Sequence, residues 1–500
     1  MPVKSVITAD VFLHIPPSVQ AQTSSPDTTV LGSGSAGRSP KDGLASDKVG
    51  EKGTQTTPIQ RGPLTLVFFI TGNPGLIAYY HPFLSLLVER LKKKEAERPV
   101  VVAGFSLGGF DAESPRSTTE ASSSSGNNGA WDQSADGDAN AVDDEEIQET
   151  LYPPLRSRQQ SESGDHTADG DHNDDRIYTL REQIELTYAR LVALIARLRR
   201  DNYYLDHESE SESVQVVLMG HSVGTYIALE LVRLWHEREM QQPQEAAAAA
   251  AAVSWSLSSP GEGQDPSPVP SPPPPIREIE RERAREKKGP SWKISSCILL
   301  TPTIVDLHMS PSGRIATPLL TSIPVLSAYL PDVAHGLLHS VLIRGLPSKW
   351  MASLVQRVTG MRKGSHGFDT TMAFLTSQRG VKQALTMAAA ELKEIRADQW
   401  GSEVWGAAVD EEEGDTRVNG STRSPRLYLW FAKEDHWVAD ITREEILRSK
   451  GAEGEDGGQT RPTIVIDETA GLVHAWCLEQ SDMVAGRVGE WLEEILDHNA

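Results

Sequence analysis

The sequence predicts an α/β fold: a mainly parallel sheet with helices covering both faces. Three observations predict it. Short, continuously apolar runs such as "TLVFFI", "VVVAGF" and "VQVVLM" recur along the 500 residues, the pattern of strands buried on both sides. Segments of helical apolar spacing stand between several of them, which is the signature of β/α units. Turn residues, chiefly Gly, Asn, Pro and Asp, follow the runs and mark the strand ends.

The elements follow in order. A first strand is expected within 3–15. "PLTLVFFITGNPG" reads as a buried strand that ends in a Gly/Asn/Pro turn. Next, "YHPFLSLLVERLKKKEAE" places Phe83, Leu84, Leu87, Val88 and Leu91 on one helical face. "PVVVAGFS" is the following strand. "IYTLREQIELTYARLVALIARLRRDN" is a long amphipathic helix, "SVQVVLMG" another buried strand, and "TYIALELVRLWHER" a helix directly behind it. "KISSCILLTPTI", "RLYLWFA" and "RPTIVID" supply three further strands, and "SDMVAGRVGEWLEEILD" closes the chain as an amphipathic helix.

Three spacers interrupt this series, at 20–62, 111–176 and 241–290. None carries a core of its own, so they are expected as disordered insertions into the connections of one domain spanning 1–500. The second holds seventeen acidic against four basic residues, and so supplies more than half of the formal net charge of −22. A segment of such low hydrophobicity and high charge cannot offset its ordering entropy. The third combines an Ala run, "PSPVPSPPPP" and a mixed-charge stretch. A shorter flexible loop is expected over 402–424.

The acidic balance argues against nucleic acid as a partner, because phosphates would be repelled. Two cysteines, Cys297 and Cys477, form neither a disulfide framework nor a metal-ligand cluster; the serine chemistry read below is expected to use no metal or organic cofactor. The N-terminal "MPVKSVITADVFLHIPP" does not have the pattern of a signal peptide, and no run of eighteen apolar residues predicts a membrane span.

Two G-x-S-x-G motifs compete as a nucleophile turn: Gly104–Gly108 around Ser106, and Gly220–Gly224 around Ser222. Such a turn needs a strand ahead and a helix directly behind, so that backbone N–H groups face a developing oxyanion. Ser222 has both, whereas Ser106 is followed by "GGFDAESPRSTTEASSSS". Ser222 is therefore the candidate nucleophile, with Gly220 and Gly224 as its turn glycines, and Ser106 reads as a strand-end serine. A serine hydroxyl needs a base and an orienting acid, which in this architecture follow in the order acid, then His. Asp435 lies just past the "RLYLWFA" strand and His474 just past "RPTIVID", both on the sheet edge where ligands bind. Glu434 is the alternative acid; Asp440 lies too far along its loop, and Asp467 too close to its strand. His221 and His436 flank these candidates and are expected to point away. His308, His335, His339 and His366 have no acid partner in view. The oxyanion donors are expected to be the N–H groups of Val223 and of Asn73 in "ITGNPG", since Pro74 has none to give.

"GNPGLIAYYHPFL", "LREQIELTYARL", "GHSVGTYIALEL", "TPTIVDLHMSPSGRIATPLL", "KEDHWV" and "HAW" together resemble the lipid droplet-associated hydrolases, serine hydrolases of the α/β-hydrolase superfamily. The resemblance implies an α/β-hydrolase fold and a Ser222–Asp435–His474 triad. It also implies a sterol-ester or neutral-lipid substrate and a place at the lipid droplet; the endoplasmic reticulum surface is expected as a second site, and the cytoplasm otherwise. Where relatives tend to carry a Ser-His turn, this chain has "GFSLGGF".

The region 305–400 is expected to be an apolar helical cap or a lipid anchor. Its core, 317–360, is strongly apolar and expected to break at Pro331 and Pro347, with Trp350 and Met351 at a lipid interface. The reading that results is a serine esterase acting on a lipid ester. A droplet-bound scaffold with an idle triad, or a thioesterase or soluble esterase on the same fold, are its alternatives.

Overall fold

In the computed structural model the apolar runs become eight strands of one sheet. The structure describes residues 4–17, 63–94, 98–110, 176–201, 214–238, 292–406 (apart from 323, 339, 341–344 and 346), 424–451, 461–468 and 471–498. The three spacers, save Arg176, and residues 407–423 lie outside these, as does His339.

The strands are β1 (Val6–Ile7), β2 (Val11–His14), β3 (Thr65–Ile70), β4 (Val100–Phe105), β5 (Val214–His221), β6 (Trp292–Leu300), β7 (Arg426–Ala432) and β8 (Thr463–Asp467). Their spatial order is β1-β2-β4-β3-β5-β6-β7-β8. The β1/β2 and β2/β4 pairs are antiparallel, and every pair from β4 to β8 is parallel. This is the α/β-hydrolase arrangement. Every residue of β3, β4 and β5 is buried. Because successive side chains alternate between faces, the sheet is covered on both.

The N-terminal stretch is a hairpin instead of one strand. Thr8 N–H donates to Val11 O at 2.8 Å, and the turn at Ala9–Asp10 folds β1 back on β2.

Helix α1 (His81–Leu91) buries Phe83, Leu84, Leu87, Val88 and Leu91, the face that the spacing predicts. It packs against the C-terminal helix Ser481–His498, where Arg90 lies along Gly486 and Gly489. Helix α2 is Leu180–Asp201, and α3 runs over 223–238 directly behind β5.

Between β6 and β7 stands the helical cap: α4 (Pro311–Thr317), α5 (Pro324–Leu337), α6 (Ser348–Thr359), α7 (His366–Thr376) and α8 (Gly380–Glu394). Ser310 starts it. Its hydroxyl donates to Leu307 O and accepts from Gly313 N–H, and a Cβ on Gly313 would stand 2.0 Å from Leu307 O. The unusual "SPSGR" sequence is thus a helix-starting device.

Pro347 precedes α6, as the sequence predicts, but Pro331 lies inside α5 and does not break it. A proline fits helical φ and removes one N–H bond. Pro331 is itself buried, and α5 packs on α8, with Lys382 and Asp332 paired at 2.5 Å. Residues 402–405 are not loose: they form a helical turn that buries Val404 and Trp405.

Candidate active site

The chain runs from β3 to β4 on one side of β3 and returns to β5 on the other. At such a switch the loops leaving two neighbouring strand ends diverge and open a crevice. The loop after β3 carries Asn73, and the turn after β5 carries Ser222.

Ser222 sits in the left-handed region at φ 53°, a conformation that lifts its side chain off the strand. The flanking glycines make this turn possible. A Cβ on Gly220 would lie 2.4 Å from Gly224 O, and one on Gly224 would lie 2.3 Å from Ile70 O. Both contacts are to backbone, which has no rotamer through which to yield. Thr225 N–H closes the turn on Ser222 O at 2.9 Å, and Val223 opens helix α3. The first N–H groups of a helix have no intrahelical acceptor.

Two loops from distant parts of the sequence meet this serine. Asp435, just past β7, accepts from Trp437 N–H through Oδ1 at 2.7 Å and from His474 Nδ1 through Oδ2 at 2.8 Å. His474 Nε2 stands 2.9 Å from Ser222 Oγ. With the imidazole proton on Nδ1 and directed at a carboxylate, Nε2 is an acceptor and the serine hydroxyl donates to it. The His474 loop is itself held: Leu472 N–H donates to Asp467 Oδ2 at 2.7 Å, and Val473 N–H to Gln480 Oε1 at 3.0 Å. Asp467 is therefore a loop clasp. Glu434 is exposed, and Asp440 pairs with Arg443 at 2.9 Å.

Ser106 is a structural residue. It is buried, its hydroxyl accepts from Ile77 N–H at 3.2 Å, and its carbonyl accepts from the buried Arg190 at 2.6 Å. It fastens the end of β4 to the short helical turn Ile77–Tyr80 and to α2.

His221 corrects an expectation. It does not point away: it lines the same cavity as Ser222, and its Nε2 lies 2.8 Å from His474 O. A carbonyl only accepts, so Nε2 carries the proton and Nδ1 is the acceptor. Tyr80 O–H then donates to His221 Nδ1 at 2.7 Å, while its oxygen accepts from Gly72 N–H at 3.1 Å. This chain joins the Asn73 loop to the His474 loop with one fixed direction of donation. Burial, reinforced by the neighbouring His474, lowers the His221 pKa to about 3 and keeps the ring neutral. His436 is exposed, as the sequence predicts. His366 Nε2 meets Ala78 O, and His308 Nδ1 is buried without a partner among the described residues, Ser222 included.

Over Ser222 and His474 lies a cavity of about 560 Å³. Its walls come from the cap, with Met351, Leu354, Val355, Phe374 and Leu375 among them, and its rim includes Trp437. Met351 is buried in that wall beside Val355 and Phe368, against the expectation of an interfacial position. Trp350, its neighbour in sequence on a different face of the helix, is 70% exposed. Asn73 ties the cap to the sheet, since its Nδ2 donates to Ala384 O at 3.0 Å and to Glu391 Oε1 at 2.9 Å. Among the described residues no group of His, Cys, Asp and Glu is arranged to hold a metal.

The profile of the family described as lipid-droplet associated hydrolase matches residues 63–128 and 154–477. Similar solved structures include 2-hydroxy-6-oxo-6-phenylhexa-2,4-dienoate hydrolase from Rhodococcus sp. strain RHA1, at 11% identity and TM-score 0.34. It covers 86% of this chain and 91% of its own. A laboratory-evolved variant of potato epoxide hydrolase is 10% identical at TM-score 0.34, over 87% and 94%. The peroxisomal α/β-hydrolase Lpx1 of Saccharomyces cerevisiae is 10% identical at TM-score 0.32, over 87% and 78%.

Proposed function

Because the chain belongs to the lipid-droplet associated hydrolase family, we propose that it is a serine esterase that cleaves a lipid ester at a droplet surface. The observation that carries this reading is the hydrogen-bonded series Ser222–His474–Asp435 beneath an apolar cavity. Ser222 Oγ attacks the acyl carbonyl while His474 Nε2 takes its proton. Asp435 holds the Nδ1–H tautomer and stabilises the imidazolium that forms. The N–H groups of Val223 and Asn73 face the oxyanion, a contribution that is often the largest in acyl transfer. His474 next returns the proton to the leaving alcohol. Water, activated by the same imidazole, then releases the acid and frees the serine.

The cavity suits a lipid chain, being walled by aliphatic and aromatic side chains with few polar groups. The cap suits a lipid surface. On α6, Trp350, Leu354 and Val358 follow at i, i+4 and i+8 and are all exposed, while Met351 and Val355 face inward. Helix α6 thus turns an apolar stripe toward the cavity and leaves apolar side chains exposed outward, and Leu354 and Val358, partly exposed, also line the cavity. In this reading 317–360 is a lid whose outer face meets the droplet. No described helix is long and apolar enough to cross a membrane.

Labelling with a fluorophosphonate probe, in the presence of detergent, tests the reading on wild type, Ser222→Ala and Ser106→Ala. Labelling lost in Ser222→Ala alone is the expected result. Wild-type protein that fails to label would sink the esterase assignment and favour the scaffold. A screen of sterol, glycerol and thiol esters on the labelled enzyme then separates the substrate classes.

A further inference from the structure

Most polar side chains on the cavity wall are satisfied within the protein. Tyr79 O–H donates to Thr371 Oγ1 at 2.9 Å, and the Thr371 hydroxyl donates onward to Gly367 O at 2.8 Å. The Thr359 hydroxyl donates to Val355 O at 2.7 Å. Tyr80 and His221 are used in the chain that joins the Asn73 and His474 loops.

Two side-chain atoms are buried on this wall without a partner among the described residues, and they stand beside a buried carboxyl. Thr303, on the segment leaving β6, is 3% exposed, and its hydroxyl is buried without a partner among the described residues. Asn73 spends both hydrogens of its amide on the cap, and its buried Oδ1 meets no donor among the described residues. Glu391 is 7% exposed, and it accepts from Asn73 through Oε1 alone among the described residues. All three line the one cavity. A buried polar group without a partner costs about 1–3 kcal/mol, so two on the wall of an apolar cavity, beside a buried carboxyl, need an explanation.

We propose that Glu391, Thr303 and Asn73 form a recognition subsite for an oxygen function, above all a hydroxyl, carried by the lipid ester away from its scissile bond. This deepens the esterase reading and rests on it for the word ester. The chemistry of the three groups is complementary to a hydroxyl. Burial raises the Glu391 carboxyl to about 8, against the opposing hydrogen bond from Asn73, so it is protonated at neutral pH. Its Oε1 is then the carbonyl that accepts from Asn73, and Oε2 carries a proton to donate. Asn73 Oδ1 is an acceptor, and the Thr303 hydroxyl serves as either. A hydroxyl both donates and accepts, whereas a plain hydrocarbon leaves all three groups unmet. A charged ligand group is disfavoured by the same burial that keeps Glu391 neutral. The subsite therefore selects a hydroxylated acyl chain, or an alcohol with a second hydroxyl, over the unadorned ester.

The test is binding to the full-length Ser222→Ala protein, read by displacement of a fluorescent fatty acid. The probes are ethyl palmitate, ethyl palmitates with one hydroxyl walked along the chain, and the palmitate monoester of ethylene glycol. At least one hydroxylated probe is expected to bind about tenfold tighter than ethyl palmitate, the value of one well-made hydrogen bond. Thr303→Val, nearly isosteric, and Glu391→Met are expected to abolish that advantage. Glu391→Gln is expected to keep it, because the amide still offers a carbonyl to Asn73 and an N–H to the cavity. Equal binding of all probes overturns the subsite, as does an advantage that survives both Thr303→Val and Glu391→Met. Since the reporter protein lacks the serine hydroxyl, the result stands whether or not Ser222 labels in the wild type. Failure of the esterase reading is thereby told apart from failure of this one.

Discussion

The two G-x-S-x-G turns share a regular expression and differ in what their glycines touch. Around Ser222, a Cβ on either glycine would strike backbone. Around Ser106, a Cβ on Gly104 would stand 2.6 Å from the Cδ1 end of Ile77, and one on Gly108 about 3.0 Å from Leu186 and Tyr178 side chains. The backbone angles agree: Ser222 is left-handed at φ 53°, and Ser106 is not among the positive-φ residues. One motif is thus required by a strained turn, and the other is only compatible with a crowded one. What the glycines are for separates them better than the letters do.

Substitution of the serines breaks the comparison most sharply. Ser222→Ala is expected to lower kcat for an ester by about four to six orders of magnitude, the scale seen when a nucleophile is removed from a serine hydrolase. Next come the glycines. Gly224→Ala forces a methyl to 2.3 Å from Ile70 O and 2.6 Å from Thr71 O, and is expected to yield insoluble protein or a loss of at least about 3 kcal/mol in urea denaturation. Gly108→Ala meets only side chains and is expected to cost about 1 kcal/mol. A Gly224→Ala protein as stable as wild type would refute the strained-turn argument.

The loop-to-loop chain of hydrogen bonds sharpens the comparison further, because Ser222 has such a neighbour and Ser106 does not. His221 is neutral in the fold, with its pKa lowered from 6.5 to about 3 by burial. Between those values the unfolded chain binds a proton that the native state refuses. The His221 contribution is therefore fully present above pH 6.5 and is lost as pH falls through this window. Between pH 7 and pH 5 the loss is on the order of 2 kcal/mol, and His221→Gln is expected to remove that part of the slope in urea midpoints measured against pH. Tyr80→Phe, which leaves Gly72 N–H and His221 Nδ1 without their common partner, is expected to lower kcat about ten- to a hundredfold with KM nearly unchanged. An unchanged kcat would show that His474 needs no such support.

Much of this is legible in the sequence. Strands buried on both faces appear as unbroken apolar runs, and β7 spans the quoted "RLYLWFA". Ser222, Asp435 and His474 could be paired because each follows a strand end on one edge of a parallel sheet. His221 was not legible, since the rule that neighbouring side chains diverge holds along a strand and fails where the next residue turns left-handed. Glu391 does leave a signal in the sequence: it lies four residues after the fully buried Met387, on the buried face of α8, where a carboxylate is out of place. Pro331 misled because a proline ends a helix by default, and only tertiary packing shows that this one is part of a helix face.

The smallest expected effect concerns the outside of the lid, where α6 differs from the inside by one helical position. Met351 fills the cavity wall, and Trp350 beside it is 70% exposed. An exposed tryptophan on a soluble surface gains nothing from water, but at a lipid–water boundary its amphipathic ring is favoured. Trp350→Glu is therefore expected to act only when substrate is presented at an interface. Hydrolysis of an emulsified lipid ester, or binding to phospholipid-coated droplets, should fall about three- to tenfold. Turnover of a short soluble ester should stay within about twofold, because Trp350 is not among the residues that line the cavity. A parallel fall on both substrates would mean that the tryptophan supports the lid from outside instead of meeting lipid. The two stripes of α6 would then serve one structural purpose.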